Sequence, residues 1–324
     1  MTNGGCPCGR IDVHAHFLPD VYVEALGRAG LKTVDGGMPV PAWSEAAALE
    51  VMDRQSIATA MVSLSSPAAH FLPLDQRPAL IRQVNEAGAA LVKARPDRFG
   101  YFASLPMPDI EACLAEIGHA FETLGADGVI LETNVDGEYL GSPRFAPVFA
   151  ELNRRAATVF LHPTSPACFE AVALGRPAPL LEFPLDTART VTDLIYNRVL
   201  QTHPDIKVIV PHAGGALPAL AARIAAFANL PFIAPRPVSE EEAFEALKGL
   251  YYDVALSGHP IALNALRGLA PLDHILFGSD WPFTPEIGVA RNIAQLSQGL
   301  SEADAAAIAR ENAERVFPRL KTPA

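Results

Sequence analysis

The sequence predicts an α/β fold, a closed (β/α)8 TIM barrel built as a single domain over residues 1–324, and three observations predict it. Eight short runs rich in β-branched or aromatic residues alternate with longer stretches of helical period. Several runs are nearly continuous in apolar residues, such as Val129-Ile130-Leu131 and Val159-Phe160-Leu161, as parallel strands covered on both faces must be. No composition break, tandem repeat or low-complexity linker divides the chain, and no GxGxxG follows the first run, which disfavours an open dinucleotide-binding sheet. A chain of 324 residues is long for one domain, but barrels of this type commonly use that length.

In chain order the strand candidates are residues 10–13, 59–64, 99–105, 127–131, 158–161, 206–210, 250–254 and 274–277. After the third, Asp109 stands ready to cap a helix whose stripe is Cys113, Leu114, Ile117, Phe121 and Leu124. After the fourth, Ser142 and Pro143 suit a helix start, and Phe145, Val148, Phe149 and Leu152 fall at i, i+3, i+4 and i+7. Val191, Leu194, Ile195 and Val199 form a stripe after the fifth. Ser301 opens a final Ala-rich helix, with Asp304 in its first turn. Three longer loops, rich in Pro, Gly or Ala, span residues 17–43, 163–186 and 229–242. In a barrel the first two form a lid over the C-terminal mouth.

Charge and cysteine content narrow the partners. There are 25 Lys+Arg against 36 Asp+Glu, a formal net charge of -11, which argues against nucleic acid or an anionic membrane surface. Cys6, Cys8, Cys113 and Cys168 form neither a disulfide framework nor a zinc knuckle. The first residues lack the pattern of a signal peptide, and no apolar run approaches the ~18 residues of a membrane span. The expectation is a cytoplasmic protein.

The chemistry concentrates at predicted strand ends. In Ile11-Asp12-Val13-His14-Ala15-His16, residues i and i+2 of an extended strand share a face, so His14 and His16 aim together into the barrel mouth. Strand five ends in Leu161-His162-Pro163, strand six in Pro211-His212-Ala213-Gly214-Gly215, and strand eight in Phe277-Gly278-Ser279-Asp280-Trp281. A barrel brings these ends into one ring. Imidazoles with a carboxylate and room for substrate make a catalytic rather than a structural metal site. Trp43, Phe71, Phe183 and Trp281 are candidate aromatic walls for an apolar ring. His70 and His259 are read as loop histidines, His203 and His274 as strand-start residues, His119 as a helix residue, and Gly214-Gly215 as a tight turn.

These motifs resemble the amidohydrolase superfamily, in the branch of aminocarboxymuconate semialdehyde decarboxylase and related non-oxidative aromatic-acid decarboxylases. The resemblance spans nearly the whole chain: IDVHAHFLP, NEAGAALVKARPDRFGYFASLP, DGVILETNVDGEYLGSP, ELNRRAATVFLHPTSP, PHAGGALPALAARI and FGSDWPF. GEYLGSP, ELNRR and HPTSP, with an early PAWS, are most similar to 6-methylsalicylate decarboxylase-like members. The resemblance implies His14, His16, His162 and Asp280 as ligands of one divalent metal and His212 as the catalytic histidine. It also implies Arg223 as an arginine that reaches a neighbouring subunit's substrate carboxylate, hence a homodimer or larger homo-oligomer. The implied metal is Zn2+, with Mn2+ tolerated by the same donors, and no organic cofactor. Two departures matter. No arginine precedes Met52-Asp53, which disfavours a dicarboxylate substrate, and Glu132-Thr133-Asn134 offers no lysine to bridge two metals.

The reading that follows is a metal-dependent lyase, a decarboxylase acting on a hydroxylated aromatic monoacid, with Asp280 as proton donor and His212 assisting. A hydrolase of a lactone or amide, using the same ligands, is the alternative, since fold alone does not choose the chemistry.

Overall fold

The computed structural model describes residues 9–233 and 237–321. Eight strands, β1 (Arg10–His16), β2 (Ile57–Ser63), β3 (Phe99–Ser104), β4 (Gly128–Glu132), β5 (Thr158–His162), β6 (Lys207–Val210), β7 (Tyr251–Asp253) and β8 (Ile275–Leu276), form one parallel sheet in chain order. The sheet closes on itself. Val13 N donates to Phe277 O at 3.0 Å, His16 N donates to Trp281 O at 2.8 Å, and Ala15 bridges Trp281 in parallel. Each predicted strand is present, with ends shifted by no more than three residues. The largest shift extends the first strand through both histidines.

A register irregularity in β1 decides what enters the barrel. Pairing with β2 runs from Asp12↔Ala60 to Ala15↔Val62, so β1 uses three residues where β2 uses two. Ile11 before the bulge and Val13 within it face the interior with Met61, Phe102, Ile130, Phe160, Ile209 and Leu276. After it the inward positions are His14, whose ring is 4.8 Å from that of Phe160, and His16, 4.8 Å from His162. Plain alternation would have put Asp12 on the histidines' face. Its carboxylate instead accepts from Ser279 N and His14 N, both at 3.0 Å, at the seam between the first and last strands.

The far end of the barrel is stoppered by the chain's own C-terminal segment. Ala313, Val316, Phe317 and Leu320 join the interior cluster, with the Phe317 ring 5.8 Å from Phe102. Asn312 Nδ2 anchors the segment by donating to Leu272 O and Ile275 O, each at 2.9 Å. Among the described residues, that leaves the C-terminal mouth as the open end of the barrel.

Over that mouth the two predicted lid loops meet. Gly36 takes φ +66°, and a Cβ there would lie 2.7 Å from Ala178 Cβ, so only glycine lets the loops approach so closely. The predicted caps form as well: Asp109 accepts from Ala112 N at 3.0 Å and Ser301 from Asp304 N at 3.1 Å. Val199 does not continue the fifth helix, because Arg198 takes φ +60° and starts a separate short one. Cys113 is buried and Cys168 exposed, both free, while Cys6 and Cys8 lie outside the described residues. Among the described residues, no helix is long and apolar enough to cross a membrane.

Candidate metal centre

His14 and His16 from β1, His162 from the end of β5 and Asp280 from the loop after β8 converge, their ligand atoms all within 4.8 Å of one another. Asp280 Oδ1 lies 3.4 Å from His14 Nε2 and 3.2 Å from His16 Nε2. His14 Nε2, His16 Nε2 and His162 Nδ1 are buried without a hydrogen-bond partner among the described residues. Such nitrogens cost free energy unless something satisfies them, and a cation between them would.

The electrostatics suit one. Burial lowers the proton affinity of His16, and that of His162 well below the ordinary imidazole value, with the neighbouring imidazoles adding to the effect at His162. Burial opposes charge on Asp280, but His14, His16 and His212 outweigh it and hold the carboxyl well below its usual range. At His14, burial is overcome by Asp253 and Asp280, which push it up to about 10. Two neutral imidazoles, an ionised carboxylate and a strongly basic third imidazole form a donor set that fits a divalent ion. Asp280 is held at φ +59° by its own N–H on His14 O and its carbonyl under Thr284 N, both at 2.7 Å.

Asp253, at the end of β7, was not singled out from the sequence. Its Oδ2 lies 2.9 Å from His14 Nδ1, and its Oδ1 accepts from His212 N at 3.1 Å and Ala255 N at 2.9 Å. The available signal was a carboxylate inside an otherwise apolar strand, Tyr251-Tyr252-Asp253-Val254, at the same end as the histidines. His16 is oriented in a similar way, Nδ1 lying 3.2 Å from Ser63 O. Gly278 completes the packing, since a Cβ there would meet His14 Cβ at 2.8 Å and the Asp253 carboxyl at 3.1 Å.

His212, half-buried, presents Nε2 3.6 Å from Asp280 Oδ2. It and Ala213 both have positive φ, so the tight turn predicted at Gly214-Gly215 begins earlier than the glycines themselves. A cavity of about 380 Å³ opens above His162, His212 and Asp280. Its walls are largely apolar, among them Met38, Phe183, Pro218, Leu256 and Phe283, with Asp35, Ser65 and Ser66 as polar interruptions.

Of the four predicted aromatic walls, Phe183 lines this cavity. Trp43 and Trp281 sit instead in a separate small apolar recess beneath His16. Phe71 packs on Tyr22, with ring centroids 6.0 Å apart. Phe283, which sequence reasoning missed, supplies the second aromatic surface, its ring 5.4 Å from that of His16. Arg223 is exposed on helix Leu217–Phe227, its guanidinium 4.8 Å over the Phe227 ring, and it does not line its own chain's cavity. Glu132 points inward from β4 but stands outside the four-residue cluster, with Oε2 3.3 Å from His70 Nε2. His259 caps a helix, accepting from Ile261 N at 3.2 Å.

A sequence profile described as amidohydrolase matches residues 11–319. A decarboxylase of Aspergillus niger is 39% identical, over 97% of this chain and 89% of its own length. A 6-methylsalicylic acid decarboxylase of Penicillium expansum is 38% identical, over 96% of this chain and 97% of its own. A crystal structure described as an amidohydrolase II superposes with a TM-score of 0.89 at 35% identity, covering 95% of this chain and 99% of that one.

Proposed function

The chain belongs to the amidohydrolase family, and from that premise we propose that it is a metal-dependent, non-oxidative decarboxylase of a hydroxylated aromatic monocarboxylic acid of the 6-methylsalicylate or salicylate type. One observation carries the reading: a cluster of orphaned imidazole nitrogens and an ionised carboxylate meets, through His162 and Asp280, a cavity with mostly apolar walls and two aromatic rings. A ring acid fits such a space, apolar along its faces and anionic at the end nearest the cluster. The P. expansum relative, similar over almost its whole length, carries an activity of this kind in its name.

His14, His16, His162 and Asp280 would hold the metal. A nitrogen-rich set favours Zn2+, and Mn2+ tolerates it. Bound there, the ion would supply positive charge for the substrate carboxylate and ortho hydroxyl, fixing orientation and stabilising oxygen charge. The remaining work falls to this chain's side chains. Asp280 turns Oδ1 toward His14 and His16, leaving Oδ2 toward His212 and toward Thr284 Oγ1 at 3.4 Å. Oδ2 takes the proton of the substrate hydroxyl and passes it to the ring carbon that bears the carboxylate. The ring–carboxylate bond then breaks, CO2 departs, and the bonding pair stays in the ring and restores its aromaticity. The phenolate oxygen recovers a proton from solvent. His212 Nε2, beside Oδ2, steadies the charge that moves through this carboxylate, and the apolar walls exclude competing water.

The same reading takes the chain as one domain and as a homodimer, with Arg223 reaching the partner's cavity, where a guanidinium fork suits a carboxylate. It places the enzyme in the cytoplasm, where free Cys113 and Cys168 are at home.

The test incubates metal-loaded protein with 6-methylsalicylate, salicylate and a set of lactones while following CO2 and substrate loss. CO2 should match acid consumed one for one. Asp280→Asn and His212→Ala should each lose about 10²–10⁴-fold in kcat. Lactone opening without CO2 release from any acid would overturn the proposal.

A further inference from the structure

We infer that Asp35 restricts the cavity to substrates with a single carboxylate, an inference that rests on the decarboxylase reading above. Asp35 sits on the first lid loop and forms part of the cavity wall beside Ser65 and Ser66. Its Oδ2 accepts from Ser165 N at 2.6 Å, Thr164 Oγ1 at 2.7 Å and Ser66 Oγ at 3.2 Å. Its Oδ1 accepts from Gly36 N at 2.7 Å. Donors from three separate loops therefore fix one carboxylate at a defined place in the wall. Its charge acts across that wall: burial above all, then Asp35, raises the proton affinity of Glu132.

What surrounds this carboxylate gives it consequence. Among the described residues, no lysine or arginine lines the cavity, whose charged groups are Asp35 and Asp280. A first substrate carboxylate has the metal cluster and, in the homodimer proposed above, the partner subunit's Arg223 to meet it. A second, elsewhere on the ring, would meet Asp35 without a cation from this chain to offset the repulsion. A ring hydroxyl in the same place would instead donate to the Asp35 carboxylate, whose Oδ1 carries one hydrogen bond among the described residues. The expected penalty is about a hundredfold, the scale of like charges ~6 Å apart at an effective dielectric of ~20.

The test uses the metal-loaded protein in two arms. By calorimetric titration, benzoate should bind about a hundredfold more tightly than isophthalate, while 3-carbamoylbenzoate, of nearly the same shape but one charge fewer, should bind within about tenfold of benzoate. In Asp35→Asn the isophthalate penalty should shrink to less than about tenfold. Thr164→Val, which removes one of the Asp35 contacts but keeps its charge, should retain it. In turnover, salicylate should be preferred to 5-carboxysalicylate chiefly through KM, and Asp35→Asn should narrow that preference. Wild-type protein that binds isophthalate as tightly as benzoate, or rejects the amide as strongly as the diacid, would overturn the inference. So would Thr164→Val relaxing the penalty as much as Asp35→Asn. The wild-type amide comparison holds even where Asp35→Asn does not fold. Absence of CO2 from salicylate would count against the decarboxylase reading and leave the binding arm to judge Asp35.

Discussion

His14 Nδ1 lies 2.9 Å from Asp253 Oδ2, and both side chains are fully buried. The contact fixes the imidazole so that Nε2 faces the cluster, and the carboxylate makes that nitrogen a stronger donor. Burial alone would raise Asp253, but the charge on His14 and its hydrogen bond hold the acid below its usual range. Asp253→Asn keeps the shape and removes the charge, so metal affinity should fall about 10–100-fold. Competition with a coloured chelator measures it, with activity partly restored at high metal. An affinity equal to wild type would show that the pair is structural only.

Removing the metal should separate chemistry from folding. The barrel core and its C-terminal stopper are built without reference to the cluster, so chelated protein should stay folded, release no CO2 and melt at a lower temperature. Re-adding Zn2+ or Mn2+ to about 100 times its dissociation constant should restore ~2.7 kcal/mol of stability. His16→Ala should lose that metal-dependent increment. A chelated protein with full activity would refute the metal assignment.

Much of this was legible in the sequence because strand ends in a barrel share one ring. Once eight strands are counted, His14, His16, His162, His212 and Asp280 must lie near one another, whatever the details of packing. Three things were not legible, each for a physical reason. The bulge in β1 changes the face of one residue, which no period-two pattern foretells, and it sends Asp12 to the seam instead of the mouth. Trp43 and Trp281 have the chemistry of cavity walls, but which apolar recess an aromatic fills is set by tertiary packing alone. Asp253 and Asp35 act through partners 239 and 129 residues away, His14 and Thr164. Such pairings appear only when the barrel closes and its loops meet.

The stopper gives a stability prediction. Phe317 is 3% exposed and packs in the barrel interior against Phe102. Truncation there would leave a cavity that the surrounding strands cannot collapse to fill. Phe317→Ala should cost about 3–5 kcal/mol, read as a lower urea midpoint with little change in slope. Ile287, 82% exposed, is the control, and Ile287→Ala should change stability by less than about 0.5 kcal/mol. Equal effects at the two sites would mean that the C-terminal segment is not part of the barrel core.

Glu132 should make stability fall as pH rises. Neither carboxyl oxygen has a hydrogen-bond partner among the described residues. Burial first, then Asp35 and Asp136, raises its proton affinity well above the ordinary value of 4.5, with Arg77 opposing weakly. The facing His70, 3.3 Å away, is driven down to about 4, again chiefly by burial, so near neutrality a neutral imidazole faces the raised acid. An acid whose folded value is raised binds its proton more tightly in the native state. Its stabilising contribution is complete below 4.5 and is lost as pH climbs through the folded value, because the unfolded chain gives up the proton first. Glu132→Gln keeps the neutral shape and removes the titration. Its melting temperature should therefore match wild type near pH 4 and exceed it increasingly toward pH 8, while the His70 contribution, present in both proteins, largely cancels. Scanning calorimetry of the pair across that range decides the matter. A difference that stays flat, or that favours wild type at high pH, would mean that Glu132 is ionised in the folded protein.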